Sequence, residues 1–273
     1  RHGPVVRSMK AAGMKMVILT VKHHDGSSCG KPLHETRHHV HRFPRRQRRH
    51  PERPVRILPQ VRIEVRHLSV TGRPVPDRNP EGLYGNLSPY TKRTIPREVP
   101  GRPFANKTRF EFVVDDYNEY FLNQLFEILT EYGPIHEVWF DGAHPKRKGG
   151  QTYNYPAWKK LIKALVPNAV IFGREDVRWC GNEAGGTRST EWNVIPYQAN
   201  PDTMSNFADM TDKNLGSREQ LYKAKYLHYQ QAETNTSIRE GWFYRDDTHQ
   251  KVRSTDDVFD IYERAVGATP PSC

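Results

Sequence analysis

Glu137-Val-Trp-Phe-Asp-Gly-Ala-His144 is the stretch on which the reading of the fold turns. Val138, Trp139 and Phe140 are β-formers, so the run predicts a buried strand that delivers Asp141 at its C-terminal end. Gly142 follows at once and lets the chain turn without a Cβ clash. In parallel α/β folds, chemistry gathers at that end of the strands. A lone aspartate there would do no more than cap the next loop. Two other stretches weigh against so plain a role: His23-His24-Asp25-Gly26, which also closes an apolar run, and the glutamate-bearing segment from Arg174 to Trp192.

Working outward, the pattern around that strand repeats. Before it, Tyr117, Phe121, Leu125, Ile128 and Tyr132 recur at a spacing of three to four, which predicts a helix over 114–132. Asp115 and Asp116 suit its positive N-terminal end, and Gly133-Pro134 stops it. After it, an amphipathic helix is expected over Pro156–Leu165, with proline in its first turn, then a strand over Ala169–Gly173. Arg174–Asn193 reads as a polar loop holding Glu175, Glu183 and Glu191. Residues 217–232 look helical, Gly241–Tyr244 looks like a short strand, and 254–266 is a helix with a serine cap and an acidic first turn. Near the start, Met16–Val21 reads as a strand after a helix end and the stop at Gly13. Residues 79–113 read as a long loop with turn signals. Helix and strand alternate, with polar residues after the strands. The expected class is α/β, an incomplete (β/α)8-like barrel, although alternation alone also fits an open doubly wound sheet.

The chain has 273 residues, enough for one large core. Its longest strongly apolar run, Met16–Val21, is far too short to span a bilayer. No signal peptide is visible, and the abrupt start at Arg1 leaves room for an upstream targeting segment. Cys29, Cys180 and Cys273 are odd in number and far apart, which points to neither a disulfide framework nor a zinc knuckle.

The net charge of +11 resembles a nucleic-acid signal, but its location argues otherwise. Residues 27–78 hold thirteen Lys/Arg against four Asp/Glu, which is +9 of the total. The charge belongs to one anomalous segment. Prolines and arginines break its apolar patterns, so it is expected to be irregular. A basic arm would have phosphate attraction alone, with no interleaved aromatics for base stacking. Out-of-frame translation fits better. Pro59–Asp77 can be back-translated so that the same DNA, read one base over, encodes RKYGLKFGIYLSPADLYQI, a helix end, glycine stop, strand and loop. The six histidines from His34 to His67 are then by-products of the wrong frame and not ligands. The expected organisation is a partial barrel over 1–267, with 27–78 anomalous and 268–273 a tail.

His23-His24-Asp25-Gly26 after Val-Ile-Leu-Thr, with Met9-Lys-Ala-Ala-Gly-Met14 before it, resembles the α-L-fucosidases of glycoside hydrolase family 29. Trp139-Phe-Asp-Gly142 is similar to that family's nucleophile strand. Arg178-Trp-Cys-Gly-Asn-Glu183 and Thr190-Glu-Trp192 resemble its α-1,3/1,4-fucosidase branch, and Gly241-Trp-Phe-Tyr244 matches a further family stretch. The likeness covers roughly 6–26 and 79–267. It implies a retaining exo-glycosidase on a (β/α)8-like barrel, secreted or periplasmic, acting on a fucosylated oligosaccharide or glycoprotein glycan, without a cofactor. Asp141 would be the nucleophile. Glu183 is favoured as acid/base over Glu191 and Glu175. His23 and His24 would bind fucose hydroxyls, and Trp139, Glu191, Trp192 and Trp242 would complete the sugar site. The chain departs from the family after His23-His24-Asp25-Gly26, where an aromatic-rich stretch and a strand are replaced by 27–78. The first barrel strand would precede Arg1, and the last would follow the final residue.

The chemistry explains the residue types. A retaining glycosidase needs one carboxylate to attack the anomeric carbon and one carboxylic acid to protonate the leaving oxygen, about 5–5.5 Å apart. Imidazoles hydrogen-bond hydroxyls, and an indole packs on the apolar face of a sugar. Plainer roles stand beside these: Glu183 as a solvated loop residue, Glu191 as a strand-edge charge, Trp139 and Trp242 as core. The histidine pair lacks a third ligand at metal spacing, so no metal is expected. Cys180 lacks a histidine partner for nucleophilic work. A carbohydrate-binding pseudoenzyme and a basic nucleic-acid-binding protein are the competing functions; no nucleic acid and no membrane span are expected.

Overall fold

The computed structural model describes residues 3–18, 20–22, 64–65, 68–70, 88–98, 103–140, 153–173, 175–204, 207, 210–242, 244–249 and 251–267. His23, His24 and Asp141 lie outside the described residues. The chain divides into two compact units, Arg1–Val138 with Ala143–Ala169, and Trp139–Gly142 with Val170–Cys273.

In the first unit, helix α1 (Gly3–Ala11) precedes two short strands, β1 (Met16–Val17) and β2 (Thr20–Lys22). The expected strand is thus present as two pieces. β1 pairs in parallel with β3 (Glu64–Val65), and β2 with β4 (Leu68–Val70). This corrects the expectation that 27–78 is irregular throughout. Ile63-Glu-Val65 and Leu68-Ser-Val70 carry an apolar residue at every second position, a strand period that Arg66 and His67 between them do not break.

The expected long loop over 79–113 is corrected as well. It contains β5 (Thr91–Ile95) and most of β6 (Phe110–Val114), an antiparallel pair in which Thr91 faces Val114 and Ile95 faces Phe110. Phe112 and Val114 point inward while Glu111 and Val113 point out, the alternation of a half-buried strand.

Helix α2 (Asp116–Glu131) follows, and the Asp115 carboxylate caps it by accepting from the Asn118 N–H at 2.9 Å. Strand β7 (Glu137–Trp139) comes next, then helix α3 (Tyr155–Leu165), capped by the Asn154 side chain. Phe121 of α2 stacks on Trp158 of α3 with centroids 3.8 Å apart, and both rings are buried. Burial of each such ring is worth roughly 1.5–3 kcal/mol, so this contact anchors the helix pair. In the sheet of this unit, β4 lies between β2 and β7.

The chain passes to the second unit within β7, at Trp139. Beside Trp139 and Phe140 lie β8 (Val170–Phe172), β9 (Val177–Trp179) and β12 (Gln231–Glu233), in the order β12-β9-β8, with parallel pairing. Gly173 ends β8 at φ +76°, and a Cβ there would stand 2.9 Å from the Phe140 carbonyl oxygen, so only glycine fits this approach. The predicted loop over 174–193 is corrected by β9: Val177-Arg-Trp179 is β-branched and aromatic, and its two bulky ends outweigh the polar surroundings.

Between β9 and β12 lies an antiparallel pair, β10 (Val194–Tyr197) and β11 (Tyr226–Tyr229), with the short helix α4 (Arg218–Lys223) before β11. The helix expected over 217–232 therefore stops early. Ala224 takes an extended conformation (ψ 142°), and the aromatic run Tyr226-Leu-His-Tyr229 pairs with β10 instead. Gly241–Tyr244 forms no strand among the described residues, and Arg239 makes an isolated bridge to Val252. Helix α5 (Thr255–Gly267) is capped by Ser254, whose Oγ accepts from the Asp257 N–H at 3.1 Å.

Ile195, Tyr197 and Leu215 form a small core under this pair. The Tyr197 hydroxyl donates to Gln230 Oε1 at 2.6 Å, and burial pushes its pKa up from 10.0 to about 12. A proton held more tightly in the folded state gives stability that is complete below pH 10 and is lost as pH rises towards about 12. Alkaline titration across that window is therefore expected to lower the urea midpoint, and Tyr197→Phe to flatten the decline. An unchanged slope in the variant would assign the titration to another group.

Candidate active site

Parallel strands of the second unit bring their C-terminal ends to one rim. Trp139 lies flat on Phe172, with centroids 4.3 Å apart and rings 5° from parallel. Its indole Nε1–H donates to Glu233 Oε1 at 3.0 Å. β8 and β9 lie between these two residues in the sheet order. Neighbouring strands are about 4.8 Å apart, so in a flat sheet the two backbones would stand more than ~10 Å apart with side chains directed alike. Their contact requires the sheet to curl towards this face.

The loop after β9 carries Glu183. The Asn182 side chain shapes it: Oδ1 accepts from the N–H groups of Ala184 (3.0 Å) and Gly186 (2.9 Å), and Nδ2 donates to the Gly186 carbonyl at 2.8 Å. Gly185 is buried at φ +80°, where a Cβ would come within 2.7 Å of Ile261 Cδ1 on α5. Arg264 of α5 donates to the Gly185 carbonyl at 3.2 Å. The Glu183 carboxylate itself is exposed and accepts from the Trp242 indole Nε1–H at 2.9 Å. Two residues singled out in the sequence, 59 positions apart, thus meet directly.

Glu191 is placed differently. Oε1 accepts from Arg188 Nη1 at 2.9 Å, and Oε2 accepts from that Nη1 at 2.8 Å and from the Arg188 backbone N–H at 3.1 Å. Arg178 Nη1 lies 2.6 Å from Oε1, near enough for an ion pair although not aligned as a hydrogen bond. Arg188 also donates to the carbonyls of Cys180 (2.8 Å), Asp212 (2.7 Å) and Met210. Arg178 Nη2 donates to the Trp192 carbonyl at 3.0 Å, while the Trp192 side chain is exposed. This arrangement ties the two ends of the loop together and occupies both oxygens of Glu191. Glu175 sits in the turn between β8 and β9, its carbonyl accepting from His228 Nε2 at 2.7 Å. Of the three glutamates, Glu183 is the one whose carboxylate is both exposed and oriented by an indole. Among the described residues no group of three or more His, Cys, Asp or Glu is placed to hold a metal ion.

No family model matches the chain. It is 30% identical over 268 residues to α-L-fucosidase 1 of Arabidopsis thaliana, covering 96% of this chain and 44% of that protein. A fucosidase-type crystal structure from Bacteroides ovatus superimposes with a TM-score of 0.65 at 32% identity, over 97% of this chain and 42% of the other. A glycoside hydrolase 29 family member from an unknown rumen bacterium gives a TM-score of 0.56 at 25% identity, over 97% and 42%. The chain belongs to the family 29 α-L-fucosidases. It spans less than half the length of the curated relative it matches. The likeness runs through an α/β architecture with a parallel sheet, and among the described residues no helix is long and apolar enough to cross a membrane.

Within this fucosidase-family chain, the sequence reading missed Glu233 and Arg178. Glu233 was hidden because Gln230-Gln-Ala-Glu233 continues the helical pattern of the preceding segment. A signal was available in the threonines that follow: Glu233-Thr-Asn-Thr236 is β-branched at alternate positions, and a carboxylate closing a short strand repeats the grammar of Trp139-Phe-Asp141. Arg178 was read only as part of a motif. A lone arginine between two bulky β-formers signals a buried ion pair, and its partner Glu191 lies thirteen residues on.

Proposed function

We propose that this chain is the greater part of the catalytic core of a retaining α-L-fucosidase of the α-1,3/1,4 branch. Asp141 is the nucleophile and Glu183 the acid/base. The Asp141 carboxylate attacks the anomeric carbon of terminal fucose, forming a glycosyl ester as the bond to the aglycone oxygen breaks and Glu183 delivers a proton to that oxygen. Water then attacks the same carbon while Glu183 takes back a proton, releasing fucose and freeing Asp141. His23 and His24 bind sugar hydroxyls, and Trp242 orients Glu183. The fold this reading calls for is the (β/α)8-like barrel expected for the family. The substrate is a fucosylated glycan met outside the cytoplasm.

The observation that carries this reading is the hydrogen bond from Trp242 to Glu183. An exposed acid needs a fixed direction to protonate one oxygen of a bound sugar, and an indole N–H supplies it without adding charge. The test is hydrolysis of an aryl α-L-fucoside by the full chain, followed by NMR of the first-formed fucose. The expected product is the α anomer. First-formed β-fucose would replace the double displacement with a single one and remove Asp141 from its role.

A further inference from the structure

The segment Glu233-Thr-Asn-Thr236 touches both sides of the rim. By its backbone it holds the loop of Glu183: the Glu233 carbonyl accepts from the Cys180 N–H at 3.1 Å, the Asn235 carbonyl accepts from the Gly185 N–H at 3.1 Å, and Thr236 bridges Ala184. By one side chain it holds the end of β7: Glu233 Oε1 accepts from the Trp139 indole at 3.0 Å. Asn235 Nδ2 donates to the same oxygen at 3.2 Å and fixes the carboxylate from behind. Trp139 is clamped on its face by Phe172 and at its edge by Glu233.

We infer that Glu233 is a positioning residue, which braces the strand bearing Trp139 against the loop bearing Glu183. This rests on the hydrolase reading above. A double displacement tolerates little error in the separation of its two carboxyl groups, and a misplacement of about 1 Å can cost on the order of 100-fold in rate. The backbone bonds set the height of the Glu183 loop whatever the side chain at 233. The indole-to-carboxylate bond links that segment directly to Trp139, in addition to the sheet pairing through β9 and β8. What the brace requires of residue 233 is an acceptor oxygen and not a charge.

The test uses the full chain with Glu233→Ala, Glu233→Gln and Trp139→Phe. Glu233→Ala is expected to lower kcat on the order of 10- to 100-fold with KM little changed. The loss should be the same for aryl α-L-fucosides with good and poor leaving groups, because the side chain acts on the strand side and not on proton delivery. Glu233→Gln keeps an acceptor and should recover most of the loss. Trp139→Phe keeps the stack on Phe172 but removes the donor, so it should match Glu233→Ala, and the double variant should lose no more than either. In parallel, the Trp139 indole N–H resonance, assigned by its disappearance in Trp139→Phe, should move upfield in Glu233→Ala and stay in place in Glu233→Gln. An unmoved resonance in Glu233→Ala would overturn the brace. So would Glu233→Gln failing as badly as Glu233→Ala, which would make the carboxylate a direct substrate contact. A wild-type chain without fucosidase activity would remove the hydrolase reading, and the indole resonance would then decide the brace by itself.

Discussion

Glu191→Ala is expected to lower the stability of the chain by roughly 3–5 kcal/mol, the cost of leaving a buried charge without its partner. Arg178 has a side-chain exposure of 2%, and Glu191 and Arg188 are nearly as enclosed at 11% and 12%. Without the carboxylate, Arg178 keeps, among the described residues, the carbonyl of Trp192, and its Nε has no acceptor there. Arg188 is better protected, since three backbone carbonyls remain to it. The loss therefore falls mainly on Arg178. Glu219→Ala is the control: its pair with Lys223 is exposed on α4, and such pairs are worth about 0.2–1 kcal/mol. Urea unfolding followed by circular dichroism checks both. A Glu191→Ala midpoint no lower than that of Glu219→Ala would mean that the buried triad contributes nothing. Replacing Arg178 and Glu191 together by leucine should recover much of the loss, because a matched apolar pair carries no desolvation cost.

How far the sequence displays this arrangement depends on the range of the interaction behind each feature. Helices α2, α3 and α5 were legible because their caps and apolar faces are local: Asp115, Asn154 and Ser254 each bond within their own first turn. The β7 and β8 strands were legible because they are buried apolar runs. The strands β5, β9, β11 and β12 were not, since each is defined by a partner elsewhere in the chain. Tyr226–Tyr229 is a strand because β10 lies beside it, and Gln231–Glu233 because β9 does. The site divides in the same way. Glu183 and Trp242 were singled out one by one through the family motifs at 178–183 and 241–244, but nothing local joins them across 59 positions. Glu191 read as a sugar-site residue or a strand-edge charge because its two arginines, at 178 and 188, are ordinary residues in sequence and become a clamp only when the loop closes on itself.

Loss of either proposed catalytic carboxylate should abolish or nearly abolish turnover, and the two losses should differ in kind. Asp141→Ala is expected to reduce hydrolysis of every aryl α-L-fucoside to background, because no covalent intermediate can form. Glu183→Ala should cost about 10²–10⁴-fold where the leaving group needs a proton, and far less for a dinitrophenyl fucoside, whose phenolate departs unaided. Trp242→Phe should show a milder form of the same leaving-group dependence, since it removes the donor that aims Glu183 and leaves the acid in place. Glu191→Ala, measured where the protein is still folded, should show none, because its oxygens are committed to arginine. Azide separates the roles further. In Asp141→Ala it takes the nucleophile's place and displaces the aglycone once, giving the β-fucosyl azide. In Glu183→Ala the fucosyl ester still forms, azide attacks it in a second displacement, and the α-fucosyl azide results. The stereochemistry follows from counting inversions at one carbon, so the rates are not needed to read it. An α-azide from Asp141→Ala would mean that another carboxylate forms the ester. Equal losses for good and poor leaving groups in Glu183→Ala would move the proton donor elsewhere on the rim.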